Sequence, residues 1–369
     1  MFNQKYNSPP PKYQHTPSQN SFKHRATQAL VANVMFNQHV MNHVYDDKGN
    51  RLQIDDLITG PDKGIWIKAT CNELGRLAQG YGDVKGTDTI EFIHFSDVPL
   101  DKKVTYANFV CDIRPLKSEP HRVRLVVGGD KLDYLDDAGS PAVSLLETKL
   151  LVNSVISEHK QGTRFMSTDL KDFFLASPMA NPEFMKIHRK HIPQEIIDQY
   201  QLDNKFHNDY IYVKIKKGMY GLKQAAILAY QHLVNNLAPF GYHPIPHTVG
   251  LWRHESRPIS FCLCVDDFGI KHKNRDNIDQ FLSSLKQNYK YTTDWEGKNF
   301  CGLTFDWNYK QGHVDVSMPT YIDKILHKFQ HKQTSFKATE IPICCYTVET
   351  IETWRETVCT RKRYITRIR

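Results

Sequence analysis

Nowhere in these 369 residues is there a Cys-x-x-Cys pair, a secretory leader pattern or an internal repeat. The apolar runs fall well short of the roughly 20 residues that a membrane-crossing helix needs. A secreted or membrane-spanning chain is therefore not expected, and an intracellular one is. The eight cysteines stand at 71, 111, 262, 264, 301, 344, 345 and 359. Two of them lie inside a single apolar stretch, which argues against a disulfide framework and for a reducing compartment. Acidic residues are missing altogether from residues 1–30, where Asn, Gln, Ser, Pro and His are frequent. Such a segment has few apolar groups to offset the entropy of ordering, so it is expected to be a disordered tail. His39 and His43 have the i, i+4 spacing of a helical metal pair, but no cysteine pair follows them. Ordinary surface histidines are the simpler reading.

What the chain does contain is a moderate excess of base, 48 Lys and Arg against 40 Asp and Glu, for a formal charge of +8. That balance suits a polyanionic partner without demanding one. The length allows about two domains and a substantial core. From Trp66 the pattern turns globular, beginning with a short helix that places Trp66, Ala69, Leu74 and Leu77 largely on one side. Residues 105–111 and 123–127 read as strands around the basic stretch 114–124, with a turn at Gly128-Gly129-Asp130. Ser144 and Glu147 form a capping box for a helix that buries Leu151, Val152, Val155 and Ile156. Residues 210–215 alternate as a strand. After Gly218 a helix turns Ala229, Leu233 and Leu237 inward and stops at Gly241. Ile278, Phe281, Leu282 and Leu285 recur at helical spacing, residues 302–308 and 313–317 alternate as strands, and residues 319–330 form another amphipathic helix. Past about residue 335 the periodicity fades into a basic tail.

Chemistry concentrates in residues 261–270, Phe-Cys-Leu-Cys-Val-Asp-Asp-Phe-Gly-Ile. A strand, a tight turn and a second strand is the simplest reading, with Asp266 and Asp267 at the hairpin tip. Adjacent acids repel, and a hard divalent cation would remove the conflict; a solvated Asp-Asp turn is the ordinary alternative. A second stretch, Phe165-Met-Ser-Thr-Asp-Leu-Lys-Asp-Phe-Phe-Leu, delivers Asp169 near the end of a short strand. If the two strands are neighbours in a sheet, the acids converge. Two metal ions held there would suit nucleotidyl transfer.

Three ordered motifs carry a family resemblance. Asp169-Leu-Lys-Asp-Phe-Phe-Leu resembles the first carboxylate motif of reverse transcriptases of copia-type retrotransposons. Met219-Tyr-Gly-Leu-Lys-Gln-Ala resembles their template- and nucleotide-contacting motif, and Cys264-Val-Asp-Asp their Tyr-Val-Asp-Asp box. Flanking likeness extends over residues 66–330, taking in Trp66, Glu73-Leu74, Arg122-Val-Arg-Leu-Val, Phe300-Cys-Gly-Leu and Tyr321-Ile-Asp-Lys-Ile-Leu. The resemblance implies an α+β right-hand polymerase: fingers at 88–160, a palm at 161–310 and a partial thumb at 311–335. The implied palm is a ferredoxin-like antiparallel sheet with helices on one face. Residues 31–87 would be a pre-polymerase connecting segment and 336–369 an irregular basic tail.

By the same resemblance Asp169 and Asp266 bind two Mg2+ ions (Mn2+ as the substitute), and Asp267 completes the catalytic cluster. Phe174 gates against a ribose 2′-hydroxyl, Tyr220 and Gly221 floor the nucleotide pocket, and Arg122 and Arg124 neutralise the triphosphate. The residue-level alternatives are a core Phe174 and a solvated arginine face. Asp172 reads as a helix-start acid and Lys223 as a template contact. Partners implied are an RNA or DNA template with its primer, and dNTPs; no membrane is expected, and oligomeric state stays open. The compartment implied is the cytoplasm, a virus-like particle or the nucleus. Cys264 stands where the family has tyrosine, Ala226-Ile227 where it has Pro-Arg, and Gly128 where many relatives have lysine. A truncated remnant that only binds nucleic acid is the alternative function. A metal-dependent phosphohydrolase and a purely structural protein are the rivals from other classes.

Overall fold

Two large sheets carry the architecture, and the chain crosses between them three times. The computed structural model describes residues 44–46, 50–114, 119–319, 321 and 366–368. The tail expected at 1–30, His39 and His43, nearly all of the helix expected at 319–330 and most of the basic end lie outside the described residues. Helices are α1 (Ile54–Thr59), α2 (Lys63–Leu77), α3 (Leu145–Ser157), α4 (Gln194–Gln199), α5 (Ala225–Leu237) and α6 (Arg275–Lys286). The first strands are β1 (Gly80–Tyr81), β2 (Val84–Lys85), β3 (Ile90–Ile93), β4 (Val104–Ile113), β5 (His121–Val127), β6 (Arg164–Lys171), β7 (Pro178–His188) and β8 (Tyr210–Lys217). There follow β9 (Tyr242–Pro244), β10 (Leu251–His254), β11 (Ile259–Cys264), β12 (Asp267–His272), β13 (Lys290–Asp294), β14 (Asn299–Phe300), β15 (Leu303–Asn308), β16 (His313–Ser317) and β17 (Thr366–Ile368).

A five-stranded sheet runs in the order β3-β8-β7-β4-β5, and β4 lies parallel to β7 over a short register. Along its edge strand β5, Val123, Leu125 and Val127 are buried on one face, which half-buried His121 shares, whereas Arg122, Arg124 and Val126 are half-buried on the other face. The buried row packs against α2, a helix with Trp66, Leu74 and Leu77 fully inside. Removing a large apolar side chain such as Leu125 from such a core costs about 2–5 kcal/mol.

The six-stranded sheet runs β13-β6-β12-β11-β10-β9, and every pairing in it is antiparallel. Within it, β6, α5, β11, β12, α6 and β13 form two interleaved βαβ units with strand order β13-β6-β12-β11. That is the ferredoxin-like arrangement. Period-two alternation splits the side chains between two cores. Met166, Leu170, Phe268 and Ile270 join Ala229, Leu233, Ile278, Phe281 and Leu285 from α5 and α6. Phe165, Cys262 and Cys264 join Leu151, Val152, Val155 and Ile156 from α3, together with Phe300, Leu303 and Phe305.

Helices on one face only is therefore corrected. α3 and residues of β14, β15 and β16, strands of a further sheet, cover the face opposite α5 and α6. The physical reason lies in β6 and β11, whose alternate residues are apolar toward both sides. The capping box forms as expected, with the Ser144 hydroxyl accepting from Leu146 N–H and Glu147 accepting from Ser144 N–H at 3.1 Å. Gly269 marks a close approach, because a Cβ there would meet Cys262 Sγ at 2.8 Å and the Phe165 ring at 3.0 Å.

Candidate active site

Cross-strand register brings two of the acids together. On β6 and β12, Asp169 is the direct partner of Asp267, and the next pairs are Thr168 with Phe268 and Ser167 with Gly269. Directly opposed residues on antiparallel strands have Cα atoms about 4.5–5.5 Å apart and side chains on one face. Asp266 is pinned to the same strand end by its carbonyl, which accepts from Leu170 N–H at 2.9 Å. The hairpin turn itself is Val265-Asp266, and Asp267 already belongs to β12. The expectation of both acids at the tip is thus off by one residue. Val265 has φ 60°, a left-handed conformation that a β-branched residue seldom adopts and that costs about 1–3 kcal/mol.

The acids burden one another. Burial pushes the Asp266 carboxyl up to about 7, with the neighbouring charges of Asp267 and Asp169 adding to it. Burial and then Asp169 push Asp267 up to about 6, while the Cys301 thiol, donating to Asp267 Oδ2 at 3.6 Å, works the other way. Asp169 itself is exposed, so the cluster opens to solvent on that side.

Facing it is a cluster of the opposite sign. Arg124 has a side chain only 12% exposed, lies 3.9 Å from Asp112 and sits 5.8 Å from the Tyr220 ring centre. Its Nε is buried without an acceptor. Burial, and next the charge of Arg122, hold the Arg124 pKa below its ordinary value. These arginines are not a solvated face. Tyr220 feels the charges of Arg122, Arg76, Arg124 and Asp266, although burial dominates and raises its hydroxyl pKa. Arg124 in turn partly offsets the upward push on Asp266.

Loop geometry accounts for the meeting. The Tyr220 carbonyl accepts from Val127 N–H at 2.8 Å, joining the 219–224 loop to the outer edge of β5. Gly221 has φ 95°, and a Cβ there would fall 2.0 Å from the Val127 carbonyl oxygen. Phe174 is 9% exposed and meets Tyr220 edge-on at 5.5 Å. It belongs to the main core and abuts the candidate pocket at once. Lys223 Nζ donates to the Leu132 carbonyl at 2.8 Å, which ties it to the chain beyond β5.

Asp172 departs from expectation. It starts no α-helix; it has φ 55°, favoured by Asp and Asn, and pairs with Arg76. Sequence reasoning missed Arg76 and the part played by Glu73. The i, i+3 spacing of those two was the sole local signal, and it says nothing of a partner 96 residues away. Cys301, beside Asp267, was missed as well.

Fit to a divalent cation can be judged from the donors. Carboxylate oxygens are hard ligands, and their mutual repulsion is what a cation would relieve. No group of three or more His, Cys, Asp or Glu is arranged to hold a metal among the described residues. Magnesium is commonly held by one or two carboxylates plus substrate phosphates rather than by a protein cage, so the donor set suits it. A cavity of about 480 Å³ lined by Arg164, Arg275, Trp295 and Tyr309 contains none of these acids. Arg164 sits at the opposite end of β6 from Asp169. Among the described residues no helix is long and apolar enough to cross a membrane.

Comparison with known proteins gives two findings. The family whose sequence profile matches residues 92–344 is described as reverse transcriptase (RNA-dependent DNA polymerase). A Saccharomyces cerevisiae protein named for the transposon Ty5-1 is 26% identical over 178 residues, covering 48% of this chain and 53% of the yeast protein. The chain thus spans about half the length of that relative.

Proposed function

This chain belongs to the reverse transcriptase (RNA-dependent DNA polymerase) family of copia-type retrotransposons, and from that premise we propose that it extends a primer 3′-hydroxyl with dNTPs on an RNA or DNA template. In this reading the five-stranded sheet serves as fingers and the six-stranded sheet as palm, so β7 and β8 go with the fingers although they fall inside the 161–310 range expected for the palm. The observation that carries it is the register of Asp169 against Asp267, with Asp266 in the adjoining turn.

Asp169 and Asp266 would hold two magnesium ions, and Asp267 completes the carboxylate cluster. Held by these carboxylates, magnesium would supply Lewis-acid chemistry, favouring ionisation of the attacking hydroxyl and offsetting charge on the leaving pyrophosphate. The protein's own groups do the rest. Arg124 offers a buried donor without an acceptor, and with Arg122 it meets the triphosphate as charge-assisted hydrogen bonds. Tyr220, fixed through its carbonyl to β5, floors the nucleotide. Phe174 walls the sugar and crowds a 2′-hydroxyl, favouring deoxynucleotides. Template and primer are held through phosphates and stacked bases with little sequence preference.

Primer extension on defined RNA and DNA templates, with magnesium and manganese compared, tests the reading. Template-dependent elongation by the wild-type chain, lost in Asp169→Asn, is the expected result. Duplex binding without elongation would replace it with the nucleic-acid-binding remnant, the reading favoured by Cys264 and Gly128 at their positions. Phosphate release without elongation would indicate a phosphohydrolase.

A further inference from the structure

Helix α2 lies N-terminal to the family-matched region, yet it reaches both halves of the candidate site. β5 is the edge strand of its sheet, so two of its outward amides need acceptors other than a neighbouring strand. Val127 N–H is satisfied by the Tyr220 carbonyl at 2.8 Å. Leu125 N–H is satisfied by Glu73 Oε1 at 3.0 Å, from a side chain only 4% exposed. The other oxygen of that carboxylate accepts from Arg76 Nη2 at 2.5 Å and from Nε at 3.2 Å. The remaining terminal nitrogen, Nη1, donates to Asp172 Oδ1. Asp172 is the third residue after Asp169 and stands two before Phe174. An unbroken chain of hydrogen bonds therefore runs from the backbone of the arginine-bearing strand to the turn that follows Asp169.

We propose that Arg76 is a positioning residue: through Glu73 on one side and Asp172 on the other, it fixes the spacing between the strand bearing Arg122 and Arg124 and the turn linking Asp169 to Phe174. The guanidinium suits this task because its planar fork satisfies two carboxylates at once, which an ammonium does not do with fixed geometry. Its side chain is 19% exposed and that of Asp172 is 37%, so the pair is partly shielded from water. Arg76 touches the reacting groups only through others, so its loss should loosen nucleotide binding more than turnover.

The role in nucleotide binding rests on the polymerase reading, and the test has an arm that does not. Arg76→Gln, Asp172→Asn and the double variant are compared in primer extension. Asn keeps the backbone preference that φ 55° requires, so the Asp172 change removes charge without new strain. Each single change is expected to raise KM for dNTP roughly tenfold, with kcat held within about twofold, and the double change to add little more, as coupled partners do. Arg76→Lys should fall between wild type and Arg76→Gln. In parallel, hydrogen exchange is followed at the Leu125 amide and over residues 169–175. Arg76→Gln should speed both, and Asp172→Asn only the second.

Additive KM effects, a loss in kcat with KM unchanged, or unaltered exchange at both places would overturn the proposal. Exchange speeded throughout the protein would overturn it too, since Arg76 would then serve general stability. Should the wild-type chain extend no primer, the polymerase reading fails, while the exchange arm still decides the clamp.

Discussion

The two sheets meet at ends of opposite charge, and each end is uncomfortable in the same way. On β6 and β12 carboxylates crowd together under partial burial, and their pKa values rise. On β5 guanidinium groups crowd together under partial burial, and that of Arg124 falls. Burial disfavours whichever form is charged, so both clusters shift toward neutrality although the signs differ. A fold selected for stability alone would interleave the charges. In the reading proposed above, keeping them apart would suit a cation on one side and a polyphosphate on the other, and perturbed groups of this kind concentrate at functional sites.

The severest break is removal of a carboxylate. Asp169→Asn or Asp266→Asn should reduce primer extension to the assay background while duplex binding, measured by filter retention, changes little. Undiminished extension by either variant would remove the acid end from the chemistry.

On the basic side, Arg124→Ala should raise KM for dNTP roughly 10–100-fold, since hydrogen bonds to charged groups contribute about 1.5–3 kcal/mol. An unchanged KM would show that β5 faces the cleft without binding phosphate. The joint between the two ends is tested by Gly221→Ala. The new Cβ would lie 2.0 Å from a backbone oxygen at φ 95°, so a loss of about 1–3 kcal/mol is expected in denaturant unfolding. A neutral result would mean that the loop is free to move off β5.

Smallest is a stability effect with the reverse sense of the activity effect. A carboxyl whose folded pKa of about 7 exceeds its ordinary 3.8 resists ionisation in the fold. Its burden on stability is absent below the unfolded value, grows as pH rises from about 4, and is complete above about 7. Metal-free wild type should therefore lose stability across that window, and Asp266→Asn should flatten the profile. The partial exposure of the site limits the gain at pH 7.5 to about 1–2 kcal/mol. A Tm lowered by Asp266→Asn without metal would contradict the crowding of the acids, and magnesium should raise the Tm of wild type more than that of the variant.

Much of this was legible residue by residue. The i, i+3, i+4, i+7 recurrence in α6 places Ile278, Phe281, Leu282 and Leu285 inside, and all four are buried. Period-two alternation is enough to separate Val123 and Leu125 from Arg122 and Arg124 along β5. The acids were readable as chemistry because adjacent like charges at the end of an apolar strand want a partner. Less legible was the second covering layer on the six-stranded sheet, since a strand that is apolar on both sides does not say what packs on each.

By itself, then, the chain's order of residues determined many of the elements, with their buried faces, and marked Asp169, Asp266 and Asp267 as acids whose charge a partner could offset. These follow from local spacing, which is set by backbone geometry within a few residues. Only the tertiary structure decided that Asp169 pairs with Asp267, that Tyr220 caps the edge of β5, and that Arg76 reaches Asp172 across 96 positions. Contacts at that separation depend on strand order and on which edge amides are left unsatisfied, and neither quantity is encoded in any short stretch of chain.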